Sequence, residues 1–241
     1  MTTEKVPRDE GNWAVPVQSL TASNVSAGAL DTASGKQVLS PLQGFGKMWQ
    51  KTYRVSLAGS GVTPQEAIAV WKDEFPTFWP KGSQFTAPLT GITPGEVALL
   101  QASVGGGMKL STGVLVIYAD DESFTFMTPQ GHMFAGWITF SAFEEDGETL
   151  AQAQVLMRAQ DPLTEIGLTL GGHRKEDAFW VATLRALAQR LGSDANPQTT
   201  VLCVEKRRQW SRAGNVRHSS AFRSSIHTAT SPFRKKPDST Q

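Results

Sequence analysis

The sequence predicts an α+β fold in which a curved antiparallel sheet wraps round a long C-terminal helix. Three observations carry this reading: a well-capped helix early in the ordered part, a long unbroken series of strand-like segments, and a closing amphipathic stretch of about five turns. The links between the strand-like segments are short, as meander connectivity requires. A sheet wrapped on a helix encloses volume, so the fold itself supplies a container.

Three parts are expected. Residues 1–40 are rich in Ser, Thr, Ala, Gly and Gln with no sustained apolar period, and read as a flexible leader that cannot offset its ordering entropy. Residues 41–192 form the domain, and residues 193–241 a basic, disordered tail. The chain has 241 residues and a formal net charge of +1, which hides an asymmetry. Residues 203–241 hold nine Lys/Arg against two Asp/Glu, leaving 14 against 20 elsewhere. The lone cysteine, Cys203, makes no internal disulfide, and the polar start MTTEKVPRDE lacks the apolar segment of an export signal. Both point to a reducing cytoplasm. No apolar run approaches the roughly 20 residues that span a bilayer, so any membrane association is expected to be peripheral.

Order begins near Pro41, where LQGFGKMWQ leads into an alternating strand from Lys51 to Leu57. Thr63-Pro64-Gln65-Glu66 then combines an N-cap hydroxyl, a proline at the first helical position and a glutamate that closes a capping box. Ala67, Val70, Trp71 and Phe75 follow at helical spacing, and Pro76 ends the regular turn. The aromatic segment Phe75–Trp79 between two prolines is too apolar for an exposed loop and should pack over something. Gly91–Ser103, Gly113–Tyr118 and Ser123–Thr128 carry strand residues, with the glycine run 105–107 and Asp120-Asp121-Glu122 as turns. Met133–Phe143 and Glu148–Arg158 form a long hairpin with an acidic tip. In the last helix, from about His173, Glu176 and Asp177 sit in the first turn where the macrodipole favours negative charge. Trp180, Leu184, Leu187 and Leu191 line its inner face, and Gly192 caps it.

This element order over roughly residues 47–192 resembles the helix-grip fold of the START-like (SRPBCC) superfamily. The stretches LQGFGKMWQKTYRV, STGVLVIYADDESFTFMTPQGHMFAGWITFSAFEEDGETLAQAQVLMRAQDPL and GGHRKEDAFW are similar to an uncharacterised bacterial branch of it. The resemblance implies a fold and a cavity, and carries no catalytic residue or ligand across.

Motifs for chemistry are few. The segment Gly105–Ser111 lacks the Gly-Lys-Ser/Thr ending of a phosphate loop, and Gly59-Ser60-Gly61 is too short for a nucleophile elbow. His132, His173, His218 and His227 have no metal-ligand spacing, so neither metal nor cofactor is expected. No residue is assigned a catalytic role. The expected cavity lining is His132, Phe134, Trp137, Ala151, Ala153, Phe179 and Trp180: small residues beside large ones leave volume next to a titratable group. The bland readings are that His132 caps a turn and that the two alanines accommodate the helix. Arg174 and Lys175 are head-group candidates at the cavity mouth, against the plain reading of a solvated charge run.

In the tail, Phe222, Ile226, Ala229 and Phe233 recur at helical spacing amid basic residues. That makes Phe222, Ile226 and Phe233 candidates for weak contact with an anionic membrane, against a disordered basic tail. Nucleic-acid binding ranks lower, because the tail holds no recognised module. The expected function is binding or carriage of a small apolar or amphipathic molecule between sheet and helix. One alternative is a cyclase, dehydratase or hydrolase using the same cavity, with His132 as general acid or base. The other is an interaction protein with a solid core. The sequence sets neither the ligand nor the oligomeric state.

Overall fold

The computed structural model of the chain describes residues 10–26, 31–105 and 108–218. Eight strands form one antiparallel sheet: β1 (Met48–Ser56), β2 (Ser83–Thr86), β3 (Val97–Gly105), β4 (Met108–Ala119), β5 (Ser123–Met127), β6 (Phe134–Glu145), β7 (Glu148–Ala159) and β8 (Gln198–Glu205). Their order across the sheet is β2-β3-β4-β5-β6-β7-β1-β8. Helix α1 (Pro64–Asp73) follows β1, and α2 (Pro162–Gly167) leads through a π-turn at Leu168–Gly172 into α3 (His173–Arg190). The sheet curves round this C-terminal helix, which packs on β1, β7 and β8. Fold class and strand direction are those expected.

Local chemistry accounts for the elements. The Thr63 hydroxyl accepts from the Glu66 amide at 3.3 Å, and the Glu66 carboxylate accepts from the Thr63 amide at 2.9 Å, closing the capping box that starts α1. The β6–β7 hairpin turns at Asp146 and Gly147, both at positive φ, in register from Phe134↔Ala159 to Glu145↔Glu148. Asp161 caps α2 by accepting from the Leu163 and Thr164 amides. Leu170 and Gly171 leave helical geometry, and Gly171 takes φ 116°, a conformation open to glycine. The closing helix therefore starts at Pro162, ahead of the expected His173, and bends at this kink.

Alternation along β1, β6 and β7 sends Tyr53, Val55, Phe140, Ala142, Ala151, Ala153, Val155 and Met157 inward, against Ala67, Ile68 and Trp71 of α1 and Leu184, Leu187 and Ala188 of α3. Strands β3 and β4 are apolar on both faces. Their outer residues Val97, Leu99 and Leu115 are covered by Leu20 and Ala33 of the N-terminal segment. A Trp13↔Tyr118 bridge, a Val38↔Pro129 bridge and the Ala14 amide donating to the Ile117 carbonyl hold that segment down. The described part of the expected leader is thus a strap. Its anchors are too few and too irregularly spaced to show a period, and the surface that needs them lies on other strands.

The expected tail is corrected in the same way up to His218. Strand β8 pairs with β1 from Arg54↔Gln198 to Met48↔Glu205, with one register shift. At its end, Glu205 forms an ion pair with the fully buried Arg158, whose guanidinium also donates to the Gly46 and Arg207 carbonyls. Arg208 reaches Glu165 of α2 at 2.9 Å, and Asn215 donates to the Gln43 and Gln160 carbonyls. Gly46 lies so close to Glu165 and Ala159 that a Cβ has no room there. Residues 203–218 therefore clasp the domain: Glu205 and the Arg207 carbonyl answer the buried Arg158 of β7, and Arg208 answers the buried Glu165 of α2. Among the described residues no helix is long and apolar enough to cross a membrane.

Candidate functional site

The inward face of β1 carries a charge where its alternation calls for an apolar residue. Lys51 is fully buried, and its Nζ donates to Glu176 Oε2 and Asp177 Oδ1, both at 2.8 Å, in the first turn of α3. The Tyr53 hydroxyl donates to the same Asp177 oxygen at 2.7 Å. One rung away, the edge of Trp49 meets the His173 ring with centroids 4.9 Å apart. His173 Nδ1 stands 4.0 Å from Glu176 Oε2 and has no hydrogen-bond partner.

Burial decides the protonation of this cluster. It pushes the Glu176 carboxyl up to about 7 despite the pull of Lys51. Burial, then the charges of Glu176 and Asp177, raises the Tyr53 phenol. Burial, then Lys51, lowers the His173 imidazole, which is neutral at neutral pH. Near neutrality Glu176 thus exchanges its proton readily beside Lys51 and Asp177.

Outside the cluster, the kink opens a groove of about 370 Å³ lined by Leu168, Thr169, Leu170, Gly171, His173 and Arg174. Its walls are apolar at Leu168 and Leu170 and polar at His173 and Arg174. Its size falls within the usual range for small-molecule sites, about 300–1,000 Å³. A second concavity of about 510 Å³ lies by the hairpin tip, between Leu57, Pro64, Glu144 and Thr149.

The sheet–helix interior is occupied by rings. Phe75 meets Phe85, Phe124, Phe126 and Phe140 edge-on at 4.7 to 5.6 Å. Trp79 packs on Phe179 at 5.0 Å, and Trp180 on Phe140 at 5.5 Å. Ala153 is fully buried and pairs with Tyr53 on one side and Phe140 on the other, while Ala151 lies between Val55 and Ala142. The alanines thus sit under α1 and α3, the accommodating role weighed against a pocket. Phe134 is half-buried against the core, on the inner face. Trp137 has the opposite parity from Phe140 and sits on the outer face across from Leu156, so it does not join the other expected lining residues.

His132 caps a turn. Its Nδ1 accepts from the Phe134 amide at 3.0 Å, and burial takes its imidazole down to about 4. It precedes β6, at the end of that strand opposite the hairpin tip. Of the head-group candidates, Arg174 lines the groove, whereas Lys175 is exposed outside its lining. Phe222, Ile226 and Phe233 lie outside the described residues.

Sequence reasoning passed over Trp49, Lys51 and Tyr53, and took Glu176 and Asp177 only as dipole partners. The signal was present in β1, where Lys51 shares the parity of Tyr53 and Val55. A lysine in an apolar register calls for a buried carboxylate, though not for any particular one.

No protein-family model matches the chain, and no curated protein matches it. Among solved structures it is similar to a START superfamily protein from Mycobacterium smegmatis, 22% identical at a TM-score of 0.38, over 61% of this chain and 97% of that one. The Zhui aromatase/cyclase from a Streptomyces species is 14% identical at a TM-score of 0.35, over 60% of this chain and 93% of that one. Ginseng major latex-like protein 151 from Panax ginseng is 12% identical at a TM-score of 0.38, over 61% and 99%. These similarities assign no residue, ligand or reaction to this chain.

Proposed function

We propose that the protein binds a small amphipathic molecule bearing an acidic group, at the groove over the π-turn. Leu168 and Leu170 supply the apolar wall, Arg174 the charge, and the neutral His173 imidazole a hydrogen-bond acceptor. The observation that carries this reading is the position of the groove, which opens on His173 beside the buried Lys51–Glu176–Asp177–Tyr53 cluster. That cluster pins α3 to β1 and so fixes the floor of the groove. Because Lys51 directs two of its hydrogens and Tyr53 its hydroxyl hydrogen to the two carboxylates, the cluster supports a rigid binder over a catalyst.

The first test is native mass spectrometry of the full chain from its own host, where a carried molecule adds a defined mass. The second is titration with a fluorescent fatty-acid analogue. Saturable uptake is expected, with Arg174→Ala weakening it about tenfold, the scale of one charge-assisted hydrogen bond. Arg174 is exposed, so the variant should melt like the parent. Absence of saturable uptake, or equal affinity in the variant, overturns the proposal.

A further inference from the structure

The helix that forms the groove presents an apolar face to solvent. Leu163, Ile166 and Leu170 recur at i, i+3 and i+7 along α2 and the π-turn, and are 47%, 56% and 81% exposed. Trp210, 74% exposed, opens the 3-10 helix Trp210–His218, which packs on α2. Exposed leucines are ordinary singly, but four large apolar side chains on two adjoining elements form a patch.

The fully exposed charges on the segments flanking this patch are cations. Lys175, Lys206, Arg207 and Arg212 are exposed on the segments that flank it. The neighbouring acids are tied up: Asp161 is fully buried as the α2 cap, Glu165 is buried and bound to Arg208, the Glu176 side chain is buried on Lys51, Asp177 is held by Lys51, and the part-exposed Glu205 is held by Arg158 and Arg207. An apolar helix face flanked by solvent-facing cations, with its neighbouring acids held in caps and ion pairs, is the chemistry of an anionic membrane interface.

We infer that the α2 face docks the protein on an anionic lipid bilayer, with Leu163, Ile166 and Trp210 entering the headgroup region and the flanking Lys and Arg side chains meeting lipid phosphates and carboxylates. The inference draws on none of residues 219–241, and it does not depend on the groove holding a ligand. It does place the mouth of the groove at the lipid.

The test is co-sedimentation of the full chain with vesicles of equimolar phosphatidylcholine and phosphatidylserine, against phosphatidylcholine alone. Binding to the anionic vesicles is expected at low salt, falling as salt screens the charges. Leu163→Asp with Ile166→Asp should weaken it at least about tenfold, because apolar burial and charge act together at this surface. Both residues are exposed, so circular dichroism and melting should not change. Replacing Arg234, Lys235 and Lys236 by glutamine in the full chain should leave most of the binding intact. Equal binding to neutral vesicles, undiminished binding by a folded Leu163→Asp/Ile166→Asp variant, or loss of binding in the glutamine variant alone overturns the inference. So does tight binding to a DNA duplex with vesicle binding insensitive to the aspartates, which would make the surface a general polyanion site.

Discussion

Lys51 holds two carboxylates in a place where it meets no water, and that makes it the residue on which the interior is most exposed to change. Lys51→Met leaves Glu176 and Asp177 uncompensated and should destabilise the domain by about 3–5 kcal/mol in urea unfolding. Glu176 gives a second readout. Its carboxyl is raised from an ordinary 4.5 to about 7, so the folded state holds the proton more tightly than the unfolded chain. Its contribution is complete below about pH 4.5 and is lost as pH rises towards 7, by roughly 3 kcal/mol. His132, lowered to about 4, acts in the opposite sense: its contribution is present above 6.5 and is lost as pH falls towards 4. The two slopes oppose each other in the parent protein. The expected measurement is therefore a difference: parent stability minus that of Glu176→Gln should decline between pH 4.5 and 7, and a flat difference would return Glu176 to an ordinary carboxyl. None of this cluster could be assembled from the sequence, because Lys51 and Glu176 lie 125 residues apart and only the strand register brings them together.

The two outer segments behave at the level of elements as parts of the core. Leu20, in the strap, is 1% exposed, and Leu20→Ala should cost about 2–5 kcal/mol and open the strap to proteolysis. Removing the chain from Cys203 onward takes away Glu205, the Arg207 carbonyl and Asn215. Arg158 is then left charged in the interior, and the cooperative unfolding transition should be lost. A truncated chain that unfolds like the parent would show that the clasp contributes nothing. Elements with local signals were legible: the Thr63–Glu66 box, the Asp146-Gly147 hairpin and the leucine stripe of α3 each carry their reason within a few residues. The strap and β8 were not. Leu20 and Ala33 answer to the outer faces of β3 and β4, and β8 has both faces exposed at Val201, Leu202 and Val204, so neither shows the alternation that marks a half-buried strand.

For the whole molecule, the interior between sheet and helix is aromatic packing, and the candidate binding place has moved to its rim. Ala153→Trp should accordingly lower stability by at least about 1–3 kcal/mol through overpacking, as measured by thermal melting. A variant of parental stability would show room beside Ala153 after all. The sheet's outline followed from the order of its turns, whereas the rim did not, because the groove exists only through a π-turn that no residue pattern announced. The position of β1 has a further consequence. It is the first strand in the chain, yet its two neighbours are β7 and β8: Thr52 pairs with Gln154 on one side and with Thr200 on the other. Pairings so distant close large loops before they return any contact, which slows folding. During synthesis β1 emerges with Tyr53, Val55 and Leu57 bare and waits for most of the domain, and its second edge is satisfied only after β8 has left the ribosome. The sheet is thus complete only once residues 198–205 have emerged, and a chain stalled before residue 198 carries an unpaired strand edge open to other nascent chains.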